Sequence, residues 1–220
     1  MRNSTTKYLV VLSLIVSFAV LLIDQWSKIW IKTNMALGQE IEVFPWFVIH
    51  FLENPGMAFG LQLGGDNGKL FLTLFRIVAV SGIGYYIYTL CQKQMSKGLI
   101  ISMSLVFAGA MGNIIDSVFY GSFFSESTFN TIATAFPEGG GYGSFLHGKV
   151  VDMLYFPLYK GYFPQWLPFW GGDYFEFFRP VFNIADSAIT LGISMLILFQ
   201  KKYYPQPTQE PKDSEGLESN

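Results

Sequence analysis

Three aspartates stand inside or at the ends of apolar stretches of this chain: Asp24 in VLLIDQWSK, Asp116 in AGAMGNIID and Asp186 in FNIADSAITLGI. In the last two an asparagine precedes the acid by three residues, Asn113 and Asn183, so on a helix each amide and carboxylate share a face. A charged side chain at the centre of a membrane helix costs about 2.5 to 3.5 kcal/mol on insertion scales, so several at one depth point to function. Two carboxylates held about 3 Å apart cannot both ionise; they share a proton and can activate a water, which is the chemistry of an aspartic hydrolase. A transporter or proton relay also needs intramembrane acids, and from the residues alone both classes stand.

Plainer readings compete for single residues. Asp24 and Lys28 are four apart and also read as an ion pair at a helix end. Asn113 and Asn183 also read as hydrogen-bonding glue between helices. Asp152, in HGKVVDMLYF, falls outside the apolar stretches and from spacing reads as a surface residue. Arg76, within an apolar stretch, reads as a side chain that snorkels outward. Ser27 and Lys28 make no catalytic dyad, because adjacent helix residues point about 100° apart. With only two histidines, one cysteine and no HExxH, the chain has no zinc ligand set and no internal disulfide, and neither a metal nor a cofactor is expected.

The elements that must position these residues are membrane helices. The chain of 220 residues is 51% hydrophobic and 14% charged with a mean hydropathy of +0.35, too apolar for an ordinary soluble domain of this size. Its net charge of -2 offers no basic excess for nucleic acid. Crossing a bilayer core takes roughly 20 helical residues. Four stretches qualify, about 8–30, 70–90, 98–116 and 181–199. Arg2 and Lys7, Lys93 and Lys97, and Lys201 and Lys202 then fall on one side, so both termini are expected in the cytoplasm. A rise of about 1.5 Å per residue brings Asp24, Asn113, Asp116, Asn183 and Asp186 to a common depth near the outer face. Small-residue pairs, Ala108 with Gly112 and Ala188 with Gly192, predict close helix contact there.

The expected class is therefore an all-α membrane protein of four transmembrane helices. It carries a small β-rich extracytoplasmic region over about 33–69 and a long extracytoplasmic insertion, about 117–180, between the third and fourth helices. The aromatic content of that insertion, FPLYKGYFPQWLPFWGGDYFEFFRP, suits the headgroup zone. One membrane-embedded domain, 1–202, is expected, followed by a disordered cytoplasmic tail, 203–220, rich in Pro, Glu and Ser.

The motifs DQWSK, NPGMAFG, GAMGNIID, VVD and FNIADSAI occur in the order seen in the lipoprotein signal peptidases, also called signal peptidase II, and the sequence resembles that family. The resemblance implies an aspartic endopeptidase of the bacterial cytoplasmic (inner) membrane, with its active site at the outer face. Such an enzyme cuts prolipoproteins on the amino side of a diacylglyceryl-modified cysteine. It makes Asp152 and Asp186 the catalytic pair, against the spacing argument for Asp152. Asn54, Asn113 and Asn183 become polar residues around the site, and Asp24, Lys28 and Asp116 its supports. The implied partners are the prolipoprotein and membrane lipids, and the enzyme is expected to be a monomer. Two departures stand out. Ser117 occupies the position where the family usually has Arg after GNxxD, leaving Lys149 or Arg179 as possible replacements. The stretches before Asp152 and between it and Asp186 are longer than usual, and their aromatic and Gly-rich segments are expected to form a lid or interfacial platform over the pair.

Overall fold

The computed structural model describes residues 2–55, 65–177 and 179–203. Residues 56–60 of NPGMAFG lie outside them, and so does the expected disordered tail apart from Tyr203. Tyr203 itself is packed: it ends the short helix α6 (Gln200–Tyr203), its ring lies where a Cβ on Gly98 would sit 2.7 Å away, and its hydroxyl is 3.3 Å from Ser102 Oγ.

Among the described residues, three helices are long and apolar enough to cross a membrane: α1 (Arg2–Asn34), α2 (Gly65–Gln92) and α3 (Lys97–Ile115), the last continued by a π-helical turn (Asp116–Tyr120) and α4 (Gly121–Phe123). Leu14, Phe18 and Trp26 on α1 and Phe71, Phe75 and Val78 on α2 point outward, as lipid-facing side chains would. The fourth apolar stretch differs from the prediction. Only α5 (Ile184–Leu198) is helical, 15 residues against the roughly 20 a perpendicular span needs. Val181 and Phe182 form a short strand instead, because Asn183 caps the helix: its backbone is extended and its side chain accepts a hydrogen bond from the Asp186 N–H.

The all-α class is also corrected, since a four-stranded antiparallel sheet sits at one end of the helices, between the C-terminal end of α1 and the start of α5. It comprises β1 (Glu40–Phe44), β2 (Phe47–Asn54), β3 (Val150–Tyr155) and β6 (Val181–Phe182), in the order β1-β2-β3-β6. Alternation along β3 turns Val151 and Met153 into a core with Phe51, Ile31, Met35, Tyr120 and Phe124, and leaves Asp152 on the other face beside its cross-strand partner Leu52. Central β3 therefore carries a carboxylate rigidly. A second hairpin, β4 (Tyr159–Tyr162) with β5 (Tyr174–Phe177), projects outward and exposes Tyr162, Trp166 and Phe169.

Small residues set the distance between α3 and α5. A Cβ on Gly112 would meet Asp24 Oδ2 at 2.6 Å and Ala185 Cβ at 3.2 Å, and one on Gly192 would meet the Ser102 carbonyl at 2.6 Å. The close helix approach expected from Gly112 and Gly192 is the one observed.

Candidate active site

α1 brings Asp24, Gln25 and Lys28 to its inward face; all of Asp24 and Lys28 is buried. Lys28 Nζ stands 2.9 Å from Asp24 Oδ2 and 2.8 Å from Asp116 Oδ2, and donates to Asn113 Oδ1 at 2.9 Å. One ammonium thus faces two carboxylates and an amide, each supplied by α1 or the end of α3. Gln25 Nε2 donates to Asp116 Oδ1 at 2.8 Å and to Asp24 Oδ2 at 3.1 Å. Each acid also accepts from backbone: Asp24 through its second oxygen, Oδ1, from the Ala185 N–H at 2.9 Å, and Asp116 through Oδ2, the oxygen that faces Lys28, from the Val151 N–H at 3.3 Å. Asp24 and Asp116 therefore pin the start of α5 and strand β3 to the bundle. Fully satisfied networks of this kind hold their members in one arrangement.

Two carboxylates stand beyond that knot. With its oxygen fixed by Lys28, Asn113 turns its Nδ2 to Asp186 Oδ1, at 2.8 Å. Asn183, fully buried, accepts from the Asp186 N–H at 2.9 Å and donates to Asp152 Oδ1 at 2.7 Å, to Asn113 Oδ1 at 3.2 Å and to the Val151 carbonyl at 3.3 Å. The cap of α5 is therefore also the clamp on Asp152. Asn54, at the end of β2, hydrogen-bonds the Asp152 side chain as well. Asp152 is only 7% exposed. Burial first, and the charge of Asp186 second, push its carboxyl up to about 7, against the hydrogen bonds from Asn183 and Asn54 that favour its ionised form. A carboxyl titrating near neutrality beside a second acid can hold and pass a proton.

Both acids line a cavity of about 410 Å³ between α2, α3, α5 and the sheet. Asn54 and Asn113 join them in its wall, while Phe75, Val80 and Ile189 make it largely apolar. An apolar cleft with a few convergent polar groups is the usual form of a binding site.

Comparison with known proteins gives these residues a family. The model of the family described as Signal peptidase (SPase) II matches residues 16–201. The chain belongs to the signal peptidase II family. It is 52% identical over 210 residues to the lipoprotein signal peptidase of Porphyromonas gingivalis, covering 89% of each chain. It is 38% identical over 213 residues to the lipoprotein signal peptidase of Amoebophilus asiaticus, covering 93% of this chain and 86% of that one. A solved structure described as a bacterial membrane enzyme, obtained by the in meso method at 1.9 Å, superposes with a TM-score of 0.56 at 27% identity. That match covers 87% of this chain and 94% of the other. A peptidase is thereby favoured over the transporter left open by the residues alone.

All eight residues that the sequence marked, Asp24, Lys28, Asn54, Asn113, Asp116, Asp152, Asn183 and Asp186, come together in this one region. The structure adds Gln25, within the DQWSK motif but passed over as an uncharged neighbour of Asp24, and Arg76, which does not snorkel away from the protein but lines the cavity. Both suggested replacements for the family Arg are engaged elsewhere. Lys149 Nζ is 3.1 Å from Glu53 Oε2, and Arg179 lines a separate cleft with Glu40 and His50. The lid expected from the first insertion is not what Thr128–Tyr142 builds. The Leu37 N–H donates to the Thr128 carbonyl and the Tyr142 N–H to that of Phe124, so this segment lies against the chain that follows α1 and, through Tyr142, the face of the sheet that carries Val151 and Met153. None of the described residues lining the cavity belongs to it.

Proposed function

We propose that this signal peptidase II family member removes the signal peptide from diacylglyceryl-modified prolipoproteins, with Asp152 and Asp186 as its catalytic pair. The observation that carries the reading is the meeting of two acids, held by a shared asparagine clamp, in the wall of one apolar cavity. One proton serves the pair. The ionised member takes a proton from a water as its oxygen attacks the scissile carbonyl, and the protonated member donates to the carbonyl oxygen. Asn54, Asn113 and Asn183 orient the acids, and the Asp24–Lys28–Asp116 knot holds the elements that carry them.

The cavity opens between apolar helices, so a signal segment can reach it from the bilayer. The lipid on the cysteine can stay in the outer leaflet while greasy contacts far from the cut orient the peptide bond. In this reading α1, α2, α3 and a tilted α5 make four spans of the bacterial inner membrane. Both termini lie in the cytoplasm, the sheet lies at the periplasmic surface, and the exposed aromatics of the β4–β5 hairpin rest among the headgroups. The enzyme acts as a monomer.

The test is cleavage of a diacylglyceryl prolipoprotein by Asp152→Asn and Asp186→Asn, each checked for folding. Each variant is expected to lose about 10²- to 10⁴-fold in rate. Wild-type turnover by either one sinks the assignment of the pair.

A further inference from the structure

One residue of the long stretch before Asp152 stands in a conformation that side chains avoid. Among the described residues, four other than glycine hold a positive φ: Gln94, Phe136, Leu146 and Phe169. Three of them are exposed, and Leu146, at φ 69°, is the one that is half-buried. A side chain stays in the left-handed region only where its surroundings over-determine it. The Leu146 N–H donates to the Val118 carbonyl at 3.0 Å and the Gly148 N–H to that of Ser117 at 2.8 Å, so the segment hangs on carbonyls that follow α3. Lys69, near the start of α2, donates from Nζ to the His147 carbonyl at 2.6 Å. Only glycine permits so close an approach at 148, because a Cβ there would run into the Asp116 carbonyl oxygen.

Tied in this way to both helices, Leu146 sends its side chain between them. It packs against the cluster of Val80 from α2, Ile114 from α3 and Val118 from the π-helical turn. Val80 and Ile114 also line the cavity that holds Asp152 and Asp186, whereas Leu146 does not reach its surface. The strained residue therefore stands behind the apolar wall of the site.

We propose that Leu146 is a specificity-determining residue: it backs the wall made by Val80 and Ile114 and so limits the size of the substrate side chain that the cavity accepts next to the cut. The inference rests on the peptidase reading above, in which the end of the signal segment lies in this cavity. A wall supported from behind by a side chain whose backbone is tied to both helices cannot yield to a larger group. Truncating Leu146 leaves space behind Val80 and Ile114, into which they can be displaced, because close-packed interiors feel the loss of a few methyl or methylene groups. The helices do not close up instead: the bonds to Val118, Ser117 and Lys69 come from the backbone of residues 146–148 and persist whatever the side chain at 146.

The experiment measures kcat/KM in lipid vesicles for two diacylglyceryl prolipoproteins that differ only in the residue before the modified cysteine, alanine in one and leucine in the other. The enzymes are wild type, Leu146→Ala, Leu146→Gly and Leu146→Met, each with a thermal melt. L146A is expected to shift the ratio of the two values toward the leucine substrate by about tenfold, the worth of a methylene or so in an apolar pocket. L146G should shift it as far and melt no lower than L146A, since glycine holds a positive φ without strain. L146M keeps the volume and should hold the ratio within about twofold of wild type. An enzyme that was merely loosened would cut both substrates more slowly and leave the ratio alone. A ratio unmoved in L146A and L146G, or moved toward alanine, overturns the proposal, and so does an L146M shift as large as that of L146A. Should L146A melt below the assay temperature, L146G decides by the same ratio. Normal cleavage by D152N or D186N overturns the paired acids alone, because the ratio reads the wall and not the acids. If both are dead and the L146A ratio is unmoved, only the role of Leu146 fails; if wild type leaves both substrates uncut, both readings fall.

Discussion

Lys28 and Lys32 lie one helical turn apart on α1, both fully buried, and each is the centre of an ionic cluster. Their surroundings differ in a way that separates two jobs. Lys28 is outnumbered by Asp24 and Asp116, both inside the bundle, and passes its orientation through Asn113 to Asp186. Lys32 pairs with Glu53, donates to Ser127 Oγ at 2.9 Å and lies 4.9 Å from the ring of Tyr142. Glu53 also has Lys149 at 3.1 Å. The first cluster has one cation for two acids and reaches the cavity through Asn113. The second has two cations for one buried acid and faces the insertion. Identical chemistry, repeated at i and i+4, supports the site on one turn and fastens the insertion on the next.

The largest expected effect comes from removing the cation that cannot be replaced. Lys28→Met leaves Asp24 and Asp116 buried together without a counter-charge, and breaking such a pair from one side costs about 3 to 5 kcal/mol. Asn113 loses the donor that fixes its orientation toward Asp186. Cleavage should fall at least about 10²-fold even in the folded fraction, as for other displaced acid–base groups. Lys32→Met should behave otherwise. Glu53 keeps Lys149, so the expected cost is about 1 to 3 kcal/mol, the range for a buried group that loses one partner. Turnover per folded molecule should stay near wild type. Denaturation in detergent and active-site-normalised cleavage measure both, and equal losses of turnover in the two variants would erase the distinction.

The two regions should also respond oppositely to pH. Burial alone would raise the Glu53 carboxyl, but the Lys32 and Lys149 ammoniums outweigh it and hold the group below its usual value. A depressed carboxyl contributes stability that is complete above the ordinary carboxylate value and is lost as pH falls through the folded value. Asp152 shifts the other way, to about 7 from 3.8, so its contribution is present at low pH and lost as pH rises across that interval. Acidifying from about pH 7 to 5 is therefore expected to tighten the strand that carries Asp152 while leaving the insertion docked; below about pH 4 the insertion should loosen. Hydrogen exchange resolved to residues 124–142 and 150–155 reads both. Loosening of the insertion already at pH 6 would contradict the assignment.

The comparison also explains what could be read in the sequence. Depth counting along apolar segments brought Asp24, Asn113, Asp116, Asn183 and Asp186 to one level, because helix rise is nearly constant and insertion makes buried acids rare. Asp152 resisted the same arithmetic: it reaches the site through strand pairing with β2, a long-range contact that periodicity does not encode, and only motif order pointed to it. Arg76 was misjudged because a cation in an apolar helix reads alike whether it faces headgroups or a polar cavity. The shortened fourth helix traces to Asn183, whose capping was hidden by the apolar Val181 and Phe182 before it. The Lys32–Glu53 cluster was invisible, since its third element, the insertion, has no periodic pattern to place Ser127.

Ser127 gives the mildest test of that cluster. Its hydroxyl accepts from Lys32 Nζ at 2.9 Å and donates to Glu53 Oε1 at 3.0 Å, so it closes a triangle whose other side is the ion pair itself. Ser127→Ala removes both bonds but leaves the charges matched by Lys149, and Lys32 keeps the aromatic faces of Phe124 and Tyr142. A loss of about 1 kcal/mol is expected, the net value of a hydrogen bond in a site that keeps its charge balance. Cleavage should not change. If S127A costs as much stability as K32M, the insertion is held by the hydroxyl bridge and not by the ion pair, and the parallel between the two lysines is one of position only.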